Sequence, residues 1–240
     1  MPRCCLPGFA LALCAFFSPL ANAQYMSMFN AANQSAVNFA GTVSVNSAIA
    51  KSAKFNSARA SKGSSKGAVR QDASHIGYPV DPARRAAVVR RYVERARALN
   101  ARDGDELQTL FRTRDLFAEF AQNARAYKLD TSDLGDVMTA YWAVAWGAAH
   151  KVGRPSVKQV QAISGYIRRA PTFGKLKALR GPERQRLADD MMIKLILVDG
   201  AAQFAIRNRQ TASLKELAAA VRRRFQQSYG VDLLRVRLPG

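Results

Sequence analysis

Two aspartates with apolar neighbours are the residues of this sequence best placed to do chemistry. Asp136 falls near the start of an apolar stretch, residues 134–150, and Asp199 falls within a second one, residues 191–206. Burying an unpaired carboxylate is costly, so each must have a partner or remain protonated. We expect a Tyr hydroxyl, a Trp N–H, an Arg or a helix end to satisfy each of them. The alternative is a carboxylate pair for general acid–base chemistry, as in a hydrolase-type enzyme.

Three aromatic residues share the first apolar stretch with Asp136. They are Tyr141, Trp142 and Trp146, and the two tryptophans are one helical turn apart. Buried Tyr and Trp usually need a partner for the O–H or N–H group, so polar groups should lie nearby. The pattern favours an aromatic core whose polar tips are satisfied. The alternative is a ligand pocket lined by these three side chains, with Asp136 and Asp199 in the same polar network.

The residue inventory excludes several classes of enzyme. All three cysteines, Cys4, Cys5 and Cys14, fall in a predicted signal peptide, so the mature chain would have no thiol for catalysis, zinc binding or redox exchange. The two histidines, His75 and His150, are far apart in the sequence. No H-E-x-x-H spacing, glycine-rich phosphate loop or G-x-S-x-G sequence occurs. We therefore predict no catalytic residue, no metal site and no cofactor.

The chain carries a strong positive charge, formally +20. Its densest run of cations is Arg222, Arg223 and Arg224, on a predicted helix near the C-terminus. Charge alone attracts phosphate-bearing polymers. Because no aromatic residues alternate with these cations and no recognition motif occurs, the pattern favours a solvated basic surface over nucleic-acid binding.

The first 23 residues, 1–23, have the features of a secretory signal peptide. Arg3 provides a positive start, residues 9–17 form an apolar run, and residues 21–23 read Ala-Asn-Ala, a small-x-small cleavage sequence. The apolar run is shorter than the roughly 20 residues that a membrane-spanning helix needs, and we predict no transmembrane segment after cleavage. The sequence predicts a bacterial protein of the periplasm or the exterior.

The rest of the chain divides into two regions of different composition. Residues 24–80 are rich in Asn, Ser, Ala and Gly with scattered Lys and Arg, and bury too little apolar surface to offset their ordering entropy. We predict a disordered basic linker there. At Asp81 and Pro82 an N-cap carboxylate precedes a proline at the first helical position, which is a helix-start signal. We predict a helical domain over residues 81–240.

Start and stop signals within this domain predict an all-α fold. Capping boxes at residues 156–159 and 213–216 each open a helix, and Gly153 and Gly230 follow helix ends. No heptad repeat persists. We therefore expect six or seven helices in an irregular or orthogonal bundle rather than a coiled coil.

The two most apolar helices are expected to organise this bundle. Residues 134–150 and 191–206 have few polar positions, so we predict that they pair at its centre. The tail, residues 234–238, alternates apolar and basic residues with period two. That period predicts an extended segment laid over the helices.

The Asp136-x4-Tyr141-Trp142-x3-Trp146 pattern, with the signal, the polar linker and the downstream helices, resembles an uncharacterised family of exported bacterial proteins, a domain of unknown function. The resemblance covers roughly residues 81–240. It implies an exported helical domain, and it brings no activity and no catalytic positions.

Three functions are compatible with these features. The first is a non-enzymatic helical protein whose basic surface contacts anionic envelope material, such as lipid phosphates, or a protein partner. Exposed charges are screened by salt, so this binding would be salt-sensitive. The second is a hydrolase-type enzyme that uses Asp136 or Asp199. The third is an inhibitor or immunity-type partner of another exported protein.

Overall fold

The computed structural model describes residues 75–170 and 173–239. The predicted signal peptide, the three cysteines and residues 24–74 of the predicted linker lie outside these residues. The described part holds eight α-helices and no β-strand. In chain order the helices are α1 (Pro82–Leu99), α2 (Ala101–Thr113), α3 (Leu116–Arg125), α4 (Leu134–His150), α5 (Val157–Arg169), α6 (Phe173–Lys177), α7 (Gly181–Arg207) and α8 (Thr211–Tyr229).

The all-α prediction is confirmed, with a helix count of eight where the sequence predicted six or seven. A short break after Thr113 separates α2 from α3. The helix α6 has only five residues and was missed, because one helical turn is too short to show a periodic pattern.

The helices α4 and α7 form the centre, as predicted. Most residues of each are buried, and α4 packs more extensively against α7 than against any other described helix. The helix α8 covers both, α5 packs on α4, and α1 packs on α7 and α2. Leu134, Met192, Ile193 and Leu197 are among the largest side chains with no more than 1% exposure in this core.

Local capping explains most of the helix starts. Asp81 Oδ1 accepts the N–H groups of Ala83 and Arg84 at 2.9 and 3.2 Å, and Ser156 forms the predicted capping box with Gln159. Both predictions are confirmed, and each cap supplies acceptors for N–H groups that have no partner within the helix.

The prediction that a second capping box at residues 213–216 opens a helix is wrong. The helix α8 already starts at Thr211, and its N-cap Gln210 makes no side-chain capping bond. The preceding Arg209 takes a left-handed conformation, with φ 54°, and Gln210 N–H bonds to Ala205 C=O at 2.8 Å. This tight turn closes α7 and leaves Ser213 inside the next helix. The predicted end at Gly230 is confirmed, with φ 65°.

The packed part of the chain begins before Asp81, so the predicted linker boundary at residue 80 is too late. Ile76 and Tyr78 are 1% and 5% exposed. Ile76 C=O accepts the Leu134 N–H at 3.0 Å, and Tyr78 N–H donates to Ser132 C=O at 3.0 Å. These backbone bonds join residues 76–78 to the entrance of α4, a long-range pairing that local composition does not reveal.

The C-terminal tail also differs from the extended segment that was predicted. Leu233–Arg235 form a 3-10 turn, which is N-capped by Asp232. Leu233 is fully buried and Val236 is 4% exposed, and the turn packs on α4. The alternation of apolar and basic residues reflects a turn that buries one residue in three, rather than a strand.

Candidate functional site

Each of the two aspartates that the sequence singled out is ion-paired with a different arginine. Asp136 Oδ1 lies 2.5 Å from Arg168 Nη2, and its Oδ2 accepts the Asp130 N–H at 2.9 Å. Asp199 makes two bonds with Arg154, at 2.6 and 3.3 Å. Both carboxylates are half-buried, and each has an arginine partner, as the sequence predicted.

These two carboxylates do not form an acid–base pair. Asp136 lies in the first turn of α4. Asp199 is ion-paired with Arg154, which follows the opposite end of that helix. At 1.5 Å per residue the two ends of α4 are roughly 20 Å apart. Neither carboxylate lines the groove or the small cavity described below. Asp136 and Asp199 are therefore too far apart to be the acid–base pair that the hydrolase hypothesis requires.

The buried carboxylate of Asp133, the N-cap residue of α4, is the centre of the network around Asp136. Asp133 has no exposed surface, and its Oδ1 accepts the Asp136 N–H at 2.9 Å and Arg168 Nη2 at 3.1 Å. Its Oδ2 accepts the Ile76 N–H at 2.5 Å and lies 2.9 Å from His75 Nδ1. Asp133 thus joins α4, α5 and the segment before α1.

The three predicted aromatic residues lie in the core and do not form one pocket. Trp142 packs edge-on against Phe225, with ring centroids 5.1 Å apart, and against Tyr229 at 5.2 Å. Tyr141 contacts Phe225 at 5.4 Å, and burial raises the pKa of its hydroxyl. Trp146 turns instead to the C-terminal tail, where its Nε1–H donates to Val236 C=O at 2.9 Å.

A small cavity lies beside the ring of Trp142. It has a volume of ≈ 10 Å³ and is lined by Trp142 together with residues of α4, α5, α6 and the turn before α6. A space of this size holds about one water molecule. The geometry therefore supports an aromatic core and not a ligand pocket between Tyr141, Trp142 and Trp146. The prediction that the polar tips are satisfied holds for Trp146 but not for Trp142, whose buried Nε1 has no hydrogen-bond partner among the described residues.

The predicted run of three arginines divides between three environments. Arg222 faces Asp232, with Nε 3.7 Å from Oδ1, and Arg223 is exposed. Arg224 is half-buried and lies within electrostatic reach of Tyr141 and Lys194. Successive helical residues point about 100° apart, so the run does not make one basic surface.

The start of α1 is locked onto α7 by a second buried group. Asp189 has no exposed surface, and its carboxylate accepts Arg85 Nε at 2.9 Å and Gln185 Nε2 at 3.2 Å. Burial raises the pKa of Asp189, against the lowering effect of Arg85 and Gln185. The Gln185 amide also bonds both backbone groups of Asp81.

An open groove of ≈ 900 Å³ runs between α1, the end of α2 and the start of α3. Its floor is apolar and includes Val80, Val89, Val93, Phe111, Leu116 and Phe117. Its sides carry five arginines against two acidic residues, namely Arg85, Arg90, Arg97, Arg112 and Arg114 against Glu94 and Asp115. That α2 and α3 stand opposite α1 cannot be read from the sequence of any one of these helices.

The arginines of the groove fall into two groups. Arg85, Arg97 and Arg114 are paired with Asp189, Asp105 and Glu119. Arg90 and Arg112 are exposed and have no acidic partner within the described residues. One stands on α1 and the other on α2, so unpaired positive charge flanks the apolar floor on both sides.

Comparisons with known proteins yield no relative. No family model, no curated protein and no solved structure matches this chain. Within residues 75–170 and 173–239, no group of three or more His, Cys, Asp or Glu side chains is arranged to hold a metal ion. None of the helices that the structure describes has the length and apolarity to cross a bilayer. The groove, with its apolar lining and the exposed Arg90 and Arg112 on opposite sides, is the candidate functional site.

Proposed function

We propose that this chain is an exported, non-enzymatic helical protein whose groove binds an acidic amphipathic helix of a protein partner. The observation that carries the proposal is the groove itself, an open apolar floor between α1 and α2 with arginines on both sides. The partner would place its apolar face on the floor and its carboxylates beside the arginines.

The shape of the groove suits a helix. Val89 and Val93 are four residues apart on α1 and so lie on one face of it, while Phe111 faces them from α2. Amphipathic helices bind in such grooves through anchors at i, i+3, i+4 and i+7. The helix α1 has 18 residues and is therefore about 27 Å long, enough to seat several turns of a partner.

Charge complementarity selects an acidic partner. The five arginines and two acids of the lining leave an excess of positive charge, and Arg90 and Arg112 are the unpaired cations. An amphipathic helix offers an apolar face for the lining residues and carboxylates for these two side chains. The combination of floor and charge therefore favours a helix with Glu or Asp along its flanks over a lipid surface.

Export is supported by the sequence of residues 1–23 and would place the partner in the periplasm or outside the cell. Expression of the full chain in a bacterial host tests this part. Mass spectrometry of the periplasmic fraction and the medium should find a protein that starts at Gln24. A protein that retains Met1 and stays in the cytoplasmic fraction would contradict export without bearing on the groove.

The groove is tested with a synthetic helical peptide of about 18 residues, carrying Leu at i, i+3, i+4 and i+7 and Glu on both flanks. Fluorescence anisotropy gives its affinity for the chain at low and high salt. We expect Arg90→Glu with Arg112→Glu to weaken binding at least about tenfold, because each reversal replaces attraction by repulsion. Salt should weaken binding to the wild type.

A second pair of exposed arginines provides the matched control. Arg223→Glu with Arg237→Glu makes the same change of net charge away from the groove, and should change affinity less than about twofold. Equal losses in both double variants would show that net charge alone attracts the peptide. Tight binding to anionic vesicles with no binding of the peptide would contradict a protein partner and would favour a membrane surface as the binding partner.

A further inference from the structure

One arginine of the groove lining is held in place from two sides. Arg85 Nε donates to the buried carboxylate of Asp189 at 2.9 Å, and the Arg85 guanidinium carbon lies 4.3 Å from the centre of the Phe117 ring. Asp189 is itself bound by Gln185 Nε2 at 3.2 Å. The Arg85 side chain is only 23% exposed. These contacts leave its guanidinium group few other orientations, even before a partner binds.

The terminal nitrogens of Arg85 differ from those of the other two ion-paired arginines in the groove. Arg97 Nη2 is bound to Asp105, and Arg114 uses both Nε and Nη2 to bind Glu119. Arg85 binds its carboxylate through Nε, and within the described residues its Nη1 and Nη2 have no hydrogen-bond partner. Because Arg85 lines the groove, these two nitrogens can donate to a ligand there.

Arg85 stands at one end of the apolar floor of the groove. Arg85, Val89 and Val93 follow one another at i, i+4 and i+8, so they lie along one face of α1. Four residues of an α-helix rise about 6 Å, which places Arg85 about one turn beyond Val89. A partner helix that lies along α1, with apolar residues on Val89 and Val93, therefore brings a side chain one turn farther along to Arg85.

We infer, on the basis of the proposed function, that Arg85 is a carboxylate-binding residue that sets the position of the partner along the groove. Its ligand is one Asp or Glu side chain of the partner, because the planar fork of a guanidinium group matches the two oxygens of a carboxylate. A group that is already fixed loses little conformational freedom on binding, whereas the exposed Arg90 and Arg112 must first be ordered. Arg90 and Arg112 thus attract the partner, and Arg85 determines where it stops.

Substitution by lysine separates hydrogen-bond geometry from charge. The helical peptide described above is prepared with an amidated C-terminus, so that only its Glu side chains carry carboxylates, and its affinity is measured by fluorescence anisotropy. Arg85→Lys keeps the positive charge but removes the planar fork, and we expect it to weaken binding about tenfold. Arg90→Lys and Arg112→Lys are the matched controls at exposed positions, and each should change affinity less than about twofold.

A scan of the peptide identifies the carboxylate that Arg85 binds. Each Glu is replaced by Gln in turn, and each peptide is titrated against the wild type and against Arg85→Lys. One replacement should weaken binding to the wild type about tenfold, also at high salt because the contact is half-buried, and should change binding to Arg85→Lys less than about twofold. A partly misfolded variant would instead lose affinity for every peptide by the same factor.

The affinity of the wild type separates this inference from the proposed function. A wild type that does not bind the peptide would contradict the groove as a binding site, and the role of Arg85 would be lost with it. Peptide binding that is weakened by Arg90→Glu with Arg112→Glu, but is as tight in Arg85→Lys as in the wild type, would leave the proposed function standing and overturn the role of Arg85. Equal effects of all the Glu→Gln replacements on the wild type at high salt would also overturn it, and this result does not require that Arg85→Lys folds.

Discussion

Asp133 accepts the backbone N–H of Ile76 at 2.5 Å across 57 residues of chain, and its side chain is fully buried. The same carboxylate binds Arg168 of α5 and caps α4 through the Asp136 N–H. One side chain therefore fixes the segment before α1, the entrance of α4 and the end of α5. The carboxylate accepts from the Ile76 N–H, the Asp136 N–H and the Arg168 guanidinium. Its removal would take an acceptor away from all three groups.

Replacement of Asp133 should be strongly destabilising. Asp133→Ala removes one partner of a buried ion pair and two acceptors for backbone N–H groups, for which we expect a loss of about 3–5 kcal/mol in the free energy of unfolding. Urea denaturation followed by circular dichroism measures it. The control is Asp105→Ala, which removes an exposed pair with Arg97 and should cost less than about 1 kcal/mol. Similar values for the two variants would contradict the role assigned to Asp133.

The buried carboxylate of Asp189 should make stability depend on pH. Burial raises its pKa in the folded chain above the ordinary 3.8, so the unfolded chain ionises first as pH rises. Ionisation of Asp189 therefore stabilises the unfolded state between 3.8 and its higher folded pKa, and folding stability falls through that window. Asp189→Asn does not titrate. The stability of this variant relative to the wild type should increase in urea denaturation as the pH rises from 3.8 through the higher folded pKa of Asp189, and a difference that shrinks over this rise would count against the raised pKa.

Local signals in the sequence were sufficient for most of the helices and for the centre of the fold. The cap at Asp81, the capping box at Ser156 and the pairing of the two most apolar helices follow from residues within a few positions of one another. Such features depend on short-range hydrogen bonds and on apolar periodicity, both of which a single sequence displays.

The long-range polar contacts were beyond the same reasoning. Asp133 could be identified as a cap for α4, but its pairing with Arg168 and Ile76 depends on how α5 and the preceding segment fold back. The groove likewise arises only when α2 packs beside α1 and brings Arg112 opposite Arg90. Sequence spacing shows which residues share one face of a helix. It does not show which other helix packs against that face.

The hairpin of α1 and α2 depends on a close approach at Gly104. A Cβ atom there would lie 2.4 Å from Arg97 Cβ and 2.7 Å from Arg97 N, so a larger residue must push α2 away from α1. Alanine favours a helix by about 1 kcal/mol over glycine, but overpacking costs about 1–3 kcal/mol. We expect Gly104→Ala to lower the free energy of unfolding by up to about 2 kcal/mol and to weaken the peptide binding described above.

Gly174 provides the control for this substitution. A Cβ atom at Gly174 would meet no atom within 4 Å, so Gly174→Ala should be neutral or stabilising by up to about 1 kcal/mol. Urea denaturation of both variants tests the contrast. A Gly104→Ala variant as stable as the wild type would mean that the two helices separate without cost, and that this contact does not set the width of the groove.

The C-terminal turn should be an integral part of the core. Leu233 has no exposed surface, whereas its neighbour Leu234 is 42% exposed, and the turn is held to α4 by Trp146, which bonds Val236 C=O, and by His150, whose Nε2 lies 3.1 Å from Leu233 C=O. Leu233→Ala should therefore cost about 2–5 kcal/mol through lost burial and a cavity, while Leu234→Ala should stay within about 0.5 kcal/mol of the wild type.

Urea denaturation followed by both circular dichroism and tryptophan fluorescence measures the two variants, because Trp146 reports directly on the docked turn. If the turn detached before the helices unfolded, the fluorescence transition would precede the circular dichroism transition in the wild type, and Leu233→Ala would leave the latter unchanged. Coincident transitions that shift together in Leu233→Ala, and not in Leu234→Ala, are the result we expect for a turn that folds with the bundle.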